Sequence, residues 1–593
     1  MNSSQPINIL LKRLWGHVSP RRRRQFGLLL ILMLLASFAE IISIGSVLPF
    51  LGVLMAPEHI FYLPLLQPFL KVLNITSPSQ LLLPLTIAFG FAALFSGLMR
   101  LLLFWASTRL SYAVGADLSI SVYRRTLYQP YAIHCARNSS EVINGISGKV
   151  SGVIGIINMV LTLVTSVAFL VSIFIMLLSI NLSIALSAFG GFGLIYVLII
   201  RLTRKQLAIN SKRMAHESTQ VIKSLQEGLG GIRDVLIDGS QAAYCQIYSN
   251  ADLPLRRAQA STAFIAASPR YAIEAVGLML ISALAYSLAQ QADGISQAIP
   301  VLGALALGAQ RLLPVLQQSY GAWSGIQGGQ TSLHDALDLL DQSLPDNFNF
   351  DQPAPEPIPF KRSISLEQLD FRYSEETPYV LKQINLTIPK GSRFGFVGST
   401  GSGKSTMLDI VMGLLQPSHG SLLIDNKKIT LKNLRAWQAR IAHVPQAIFL
   451  ADNTIEENIA FGVPKDQINI KRVRLAAEQA QIAESIESWP LQYQTFVGER
   501  GIRLSGGQRQ RIGIARALYK QADVIIFDEA TSALDNETEQ AVMQAIESLS
   551  KDLTLLIIAH RLTTLKNCTQ IVELGAGGIK RVGSYQDVVN KVV

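Results

Sequence analysis

The chain has 593 residues, too many for one hydrophobic core, so at least two domains are expected. Hydrophobic residues make up 49% and charged residues 16%, and this average hides a split between long apolar runs before about residue 325 and a soluble α/β pattern after about residue 361. The net charge of +11 does not read as a nucleic-acid footprint: the basic residues flank apolar runs, where a cytoplasmic membrane face attracts them.

Residues 1–25 form a basic lead-in that ends in Arg21 to Arg24. A bilayer-spanning helix needs about 20 mostly apolar residues. Six stretches qualify, roughly 26–55, 81–108, 151–179, 182–201, 263–290 and 295–325, and several run long enough to continue into the cytoplasm. Lysine and arginine set the orientation. Arg124, Arg125, Arg137 and Lys149 lie between spans two and three, and Arg201, Arg204, Lys205, Lys212, Arg213, Lys223 and Arg233 follow span four; the opposite-side connections are poor in both. Both termini are therefore expected to be cytoplasmic. The first run is too long for a cleavable signal peptide, and no small-residue cleavage site interrupts it before Pro49.

Between spans one and two, Pro57 to Ile75 is apolar but short and broken by proline. It reads as an amphipathic segment on the outer membrane surface, or as a plain loop. Two cytoplasmic excursions, one with Tyr128-Gln-Pro-Tyr131 and one with Gly228-Leu-Gly-Gly231-Ile-Arg-Asp234, read as short helices that press on a soluble domain, or as solvated turns. Cys135, Cys245 and Cys568 fall on the expected cytoplasmic side, where thiols stay reduced, and show no metal-ligand spacing.

Residues 326–362 read as a linker rich in proline towards its end, and 363–593 as the soluble domain. Here Gly398, Ser399, Thr400, Gly401, Ser402, Gly403, Lys404 and Ser405 fit G-x-x-x-x-G-K-[ST], with the strand Phe394–Val397 before it and a helix from Thr406 after it. Backbone N–H groups of such a loop point at phosphates, Lys404 supplies a point charge, and Ser405 offers a hydroxyl to Mg²⁺. The apolar run Val524–Phe527 reads as a buried parallel strand. At its end Asp528 is placed to hold the metal, and Glu529 to polarise an attacking water. The pattern demands ATP and Mg²⁺.

With Leu504-Ser505-Gly506-Gly507-Gln508 added, the chain resembles the ATP-binding cassette (ABC) exporters over nearly its whole length. The resemblance implies an α-helical six-span transmembrane domain of the exporter type, covering 26–325, fused to an α/β P-loop nucleotide-binding domain. It further implies a homodimer in which ATP lies between the P-loop of one cassette and Ser505, Gly506, Gly507 and Gln508 of the other. By the same resemblance Tyr373 stacks on adenine, Thr406 lies in the nucleotide site, Gln446 reaches Mg²⁺ and the attacking water, Asp535 lies in the loop that crosses between cassettes, and His560 contacts the γ-phosphate. Glu529, His560 and Gln446 are then the catalytic set, and Ser405, Gln446 and Asp528 the metal set.

Ionisable residues inside spans are costly and often functional. Glu40, Arg100, Arg109, Arg270, Glu274 and Arg311 are the candidates, with interfacial snorkelling or Arg270–Glu274 pairing as plainer readings. Phe38-Ala-Glu40 through Pro49-Phe50, Pro269-Arg270 through Glu274, and Arg311-Leu-Leu-Pro314 look similar to lipid-linked oligosaccharide flippases of the PglK type. That resemblance implies substrate contacts from Arg100, Arg270 and Arg311 to a polyprenyl pyrophosphate, in a bacterial inner membrane. The alternatives are an exporter of peptides, drugs or other lipids, and a non-transport cassette ATPase, which six spans disfavour.

Overall fold

The computed structural model describes residues 5–55, 57–61, 76–180, 182–289, 294–343, 355–529, 536–549, 552–558 and 565–589. They form two compact units: residues 1–129 with 137–343, and residues 344–593 together with the short segment 130–136.

The first unit is helical. An amphipathic helix, Ile7–His17, buries Leu10 and Leu14. Ser19 then accepts a bond from the Arg22 N–H, and Pro20, which lacks an N–H, starts the next helix at no loss. That helix ends at Gly45, and a shorter one follows over Val47–Met55, so the expected first span bends at Ser46. Among the described residues, Pro20–Gly45, Leu82–Leu127 and Ser139–Met176 are long and apolar enough to cross a membrane. The other three expected spans are helical in place, as Leu182–Gly230, Pro269–Ala289 and Gly294–Leu340. Span five begins later than expected. The chain breaks at Ser268 after the helix Gln241–Ala267, and Pro269 opens the new helix because it has no N–H to lose.

Hydrophobic transfer does not drive helices together in lipid, so close packing must. Helix Val150–Ile180 packs against Gly294–Leu340 with Gly325 and Gly329 one turn apart on the facing side. A Cβ on Gly325 would lie 2.3 Å from Met159 Sδ, and one on Gly329 2.8 Å from Ile156 Cδ1. The last helix runs on to Leu340 through residues 326–340, which the sequence assigns to the linker. Leu333, Ala336, Leu337 and Leu340 recur at helical spacing and are fully or almost fully buried, which keeps that stretch helical. Of the segment 57–75, Pro57–Phe61 is a helical turn and residues 62–75 lie outside the described residues.

The second unit holds two sheets. Strands β1 (Ser363–Phe371), β2 (Leu381–Pro389), β4 (His419–Ile424) and β5 (Lys427–Lys428) form an antiparallel sheet in the order β2-β1-β4-β5. The larger sheet uses β3 (Arg393–Val397), β6 (Ile441–Val444), β7 (Val524–Asp528), β8 (Thr554–Ile558), β9 (Gln570–Gly575) and β10 (Gly578–Gly583), in the order β10-β9-β3-β8-β7-β6. β7 and β8 are buried nearly throughout, which is why they read as unbroken apolar runs. Phe394, Phe396, Phe527 and Trp437 fill the core, and Trp437 donates its indole N–H to the Val411 carbonyl at 2.8 Å.

Candidate functional site

Strands β9, β3, β8, β7 and β6 run parallel, and their ends are level. Phe396 pairs with Ile558 and with Val572, Ile558 with Asp528, and Phe527 with Val444. All carboxyl ends therefore open on one edge, where open α/β sheets bind ligands. Loop 398–403 leaves β3 there, Asp528 closes β7 and Gln446 lies just past β6. The sequence puts His560 just past β8. His560 itself and Asp535 lie outside the described residues.

Two glycines shape the loop. A Cβ on Gly398 would stand 2.4 Å from the Leu574 carbonyl oxygen, and Gly403 adopts φ +95°, where a Cβ would stand only 2.7 Å from Leu381 Cδ2. Gly403 is the N-cap of the helix Lys404–Val411 and has no side chain to cap it, so the first N–H groups of that helix are left for an anion. The Ser402 hydroxyl is buried without a hydrogen-bond partner, as expected where a ligand group completes the loop. Lys404 turns back on the loop and donates to the Gly398 and Ser399 carbonyls at 2.8 and 3.1 Å. Tyr373, 60% exposed, shares a 3.1 Å hydrogen bond with Thr406 in the first turn of this helix, so its ring stands beside the loop.

Strand alternation would send Asp528 and Glu529 to opposite faces. Instead Glu529 adopts a left-handed backbone, φ +53°, while its N–H still donates to the Ile558 carbonyl at 3.0 Å. Each carboxylate then finds its own partner. Asp528 accepts a hydrogen bond from Ser405, and Glu529 accepts one from Gln446 Nε2 at 2.7 Å. Burial and the adjacent Glu529 push the Asp528 carboxyl up, against the Ser405 hydrogen bond and the Lys404 charge. A hydroxyl and a half-buried carboxylate side by side fit a hard, oxygen-seeking cation such as Mg²⁺.

Ser505, Gly506, Gly507 and Gln508 open the helix Gly506–Lys520. Within this chain Ser505 and Gln508 form a reciprocal cap: the Gln508 N–H donates to the Ser505 hydroxyl at 3.2 Å, and the Ser505 N–H to the Gln508 side-chain oxygen at 2.9 Å.

Two residues of the site carry no motif signal. Asp409, in the helix after the loop, has its carboxyl pushed up to about 6 by burial and by Asp528. Arg516 is half-buried and donates to the Asn458 and Phe449 carbonyls at 2.9 and 3.0 Å, which ties down the segment after Gln446. Burial lowers Arg516 to about 10. No spacing rule could have found either, because their partners are distant in sequence.

In the membrane unit the three candidate arginines are not brought to one place by any described contact. Arg100 pairs with Glu40 and lies 5.4 Å from the Phe169 ring centroid. Arg270 pairs with Glu274 at 2.7 Å on the same helix. Arg311 belongs to the helix Gly294–Leu340, and its side chain lies outside the described residues.

Known proteins share this arrangement. The family profile described as "ABC transporter transmembrane region" matches residues 21–293, and that described as "ABC transporter" matches 381–532. Proteins named "ATP-dependent lipid A-core flippase" are similar: one from Alkalilimnicola ehrlichii is 30% identical over 68% of this chain and 67% of its own, and one from Mannheimia succiniciproducens 32% identical over 67% of each chain. A solved structure titled "Structure of a bacterial Atm1-family ABC exporter with ATP bound" superposes with a TM-score of 0.77 and 24% identity over 96% of each chain. That likeness speaks to the fold.

Proposed function

The chain belongs to the ABC transporter family and couples ATP hydrolysis to transport through a multi-pass helical membrane domain; from that premise we propose that it flips a polyprenyl-pyrophosphate-linked oligosaccharide across a bacterial inner membrane, working as a homodimer by alternating access. The observation that carries the substrate reading is the charged pair Glu40–Arg100 inside otherwise apolar helices, because ionisable groups at such positions mark substrate paths. The relatives' printed names, "ATP-dependent lipid A-core flippase", support a lipid-like substrate.

Each chain carries one phosphate loop and one Ser505–Gln508 cap, so two chains supply two composite sites. Lys404 leaves the Gly398 and Ser399 carbonyls to reach the β- and γ-phosphates. Tyr373 stacks on the base, and the N–H groups of residues 398–406 hold the phosphates. The partner cassette adds Ser505, Gly506 and Gly507 and the Asp535 loop. Ser405, Asp528 and Gln446 are the groups that would hold Mg²⁺, which when bound offsets phosphate charge. Glu529, steered by Gln446, orients and polarises the attacking water, and His560 contacts the γ-phosphate. Closure of the cassettes reaches the spans through the cytoplasmic helices. In support, Pro130–Ala136, between spans two and three, falls within the same compact unit as the cassette.

A second reading is export of other lipids, drugs or peptides, of which the lipid option is favoured by the relatives' names. Reconstitution into liposomes separates them. ATPase stimulation and flipping by a polyprenyl-pyrophosphate oligosaccharide, with none by lipid A-core, drugs or peptides, supports the proposal; the reverse pattern overturns it.

A further inference from the structure

The chain passes between its two compact units at three places, and two of these crossings are tied together. The first unit stops at Gln129, before the segment Pro130–Ala136, and again at Ser343, before the cassette. Gln129 lies just past the helix Leu82–Leu127, and Ser343 just past the helix Gly294–Leu340. The Gln129 side-chain amide donates to the Ser343 carbonyl and to the Arg125 carbonyl, each at 3.2 Å, and Arg125 Nη1 donates to the Gln342 carbonyl at 3.0 Å.

A helix leaves its last carbonyls unpaired and carries a partial negative charge at that end. Two such ends meet here, and Arg125, in the last turn of one helix, caps the end of the other with a cation. Gln129 is almost fully buried, so its amide needs partners, and it finds two carbonyls. The end of the last helix is held from other sides too. Lys149 donates to Asp335 at 2.7 Å, Arg13 to Asp338 at 2.9 Å, and His17 shares a 2.6 Å bond with Asp341. With Leu333, Leu337 and Leu340 buried beneath, that end is a stiff post. We propose that Arg125 and Gln129 are positioning residues of the transport cycle: they clamp the start of the linker to the base of the first cytoplasmic excursion, so that a displacement of the cassette reaches the helices Leu82–Leu127 and Gly294–Leu340 together. Opening the clamp would strand the Gln129 amide and two carbonyls, so it stays closed through the cycle. The proposal needs only ATP-driven transport and does not rest on the identity of the substrate.

The test uses the full-length protein in vesicles of bacterial polar lipid, with no transported substrate added. Hydrogen exchange is followed with and without MgATP and vanadate. In the wild type the phosphate loop, residues 118–129 and residues 330–343 should all change their exchange on trapping. Gln129→Leu keeps the volume and loses the amide; Arg125→Gln loses the charge. Both variants should keep basal ATPase activity and the responses of the phosphate loop and of residues 118–129. Their response at 330–343 should shrink about tenfold, the factor expected when one strong hydrogen bond no longer joins the ends. Covalent rescue separates a clamp from a plain helix cap. In a background without Cys135, Cys245 and Cys568, Gln129→Cys and Ser343→Cys are joined by a short bis-methanethiosulfonate. The joined protein should hydrolyse ATP at the wild-type rate and regain the 330–343 response, and reduction should remove that response. If the variants lower melting temperature and basal ATPase while both helix ends still respond together, the contacts only cap a helix and the proposal falls. If the joined protein stops hydrolysing ATP, the junction must open in the cycle and the proposal falls as well.

Discussion

The Gln446 side-chain amide donates to the Glu529 carboxylate at 2.7 Å, across the ends of the neighbouring strands β6 and β7. The bond joins the residue best placed to sense the loop after β6 with the residue best placed to polarise water. One Glu529 oxygen is thus occupied, so the water that we propose Glu529 polarises would have to compete with an amide for it.

Glu529→Gln should therefore bind ATP and stop. The substitution keeps size and hydrogen bonding but loses the base, so turnover is expected to fall by at least about a hundredfold while ATP affinity stays near wild type. The same variant should elute as a dimer with MgATP. Phosphate release and size-exclusion chromatography read both effects; hydrolysis at the wild-type rate would remove Glu529 from the chemistry.

Lys404→Ala should abolish nucleotide binding without harming the fold. Among the described residues Lys404 hydrogen-bonds to the loop carbonyls of Gly398 and Ser399, which water can satisfy in its absence. The variant should melt at the wild-type temperature without ligand and lose the MgATP-induced rise, worth about 2.7 kcal/mol at a hundredfold excess over Kd in the intact protein.

Ser505 has two duties that can be separated. As a helix cap its replacement by Ala should cost about 1 kcal/mol of cassette stability. Ser505→Asp caps equally well but sets a negative charge against the phosphates across the dimer. Thermal melting should show a loss for Ala and none for Asp, while ATPase activity should collapse for Asp. Full activity of the Asp variant would argue against a nucleotide held between cassettes.

Asp409 predicts a pH dependence. Its carboxyl is pushed up to about 6 in the folded protein, against about 3.9 for an unfolded chain, so the folded state binds the proton more tightly. Below about pH 4 both states are protonated and no penalty exists. As pH rises through 6 the half-buried carboxylate ionises near Asp528 and stability is lost, by roughly 1–2 kcal/mol after solvent screening. Asp409→Asn should raise the melting temperature of nucleotide-free protein at pH 8 and narrow its difference from pH 5.5. An unchanged difference would place the titration elsewhere.

Much of this architecture was readable in one dimension. Gly398 to Ser405, Leu504 to Gln508 and the Val524–Glu529 run are local patterns, and each sits where its pattern predicts, because a loop between a buried strand and a helix has few alternatives. The apolar runs likewise fall on long helices. The linker boundary was not readable: residues 326–340 stay helical because Leu333, Ala336, Leu337 and Leu340 are buried against other helices, a contact no linear pattern reports.

The chain's order of residues by itself determined which chemical groups are present and, outside residues 326–340, where the main helices, the sheet strands named above and the phosphate loop lie, since these follow from spacing, apolar periodicity and glycine geometry over a few neighbours. Only the tertiary structure decided how distant groups meet: Gln446 with Glu529, Asp409 near Asp528, Arg516 with Asn458, and Glu40 with Arg100. Parallel strand register and helix packing bring these partners together, and they depend on the folding of the whole chain.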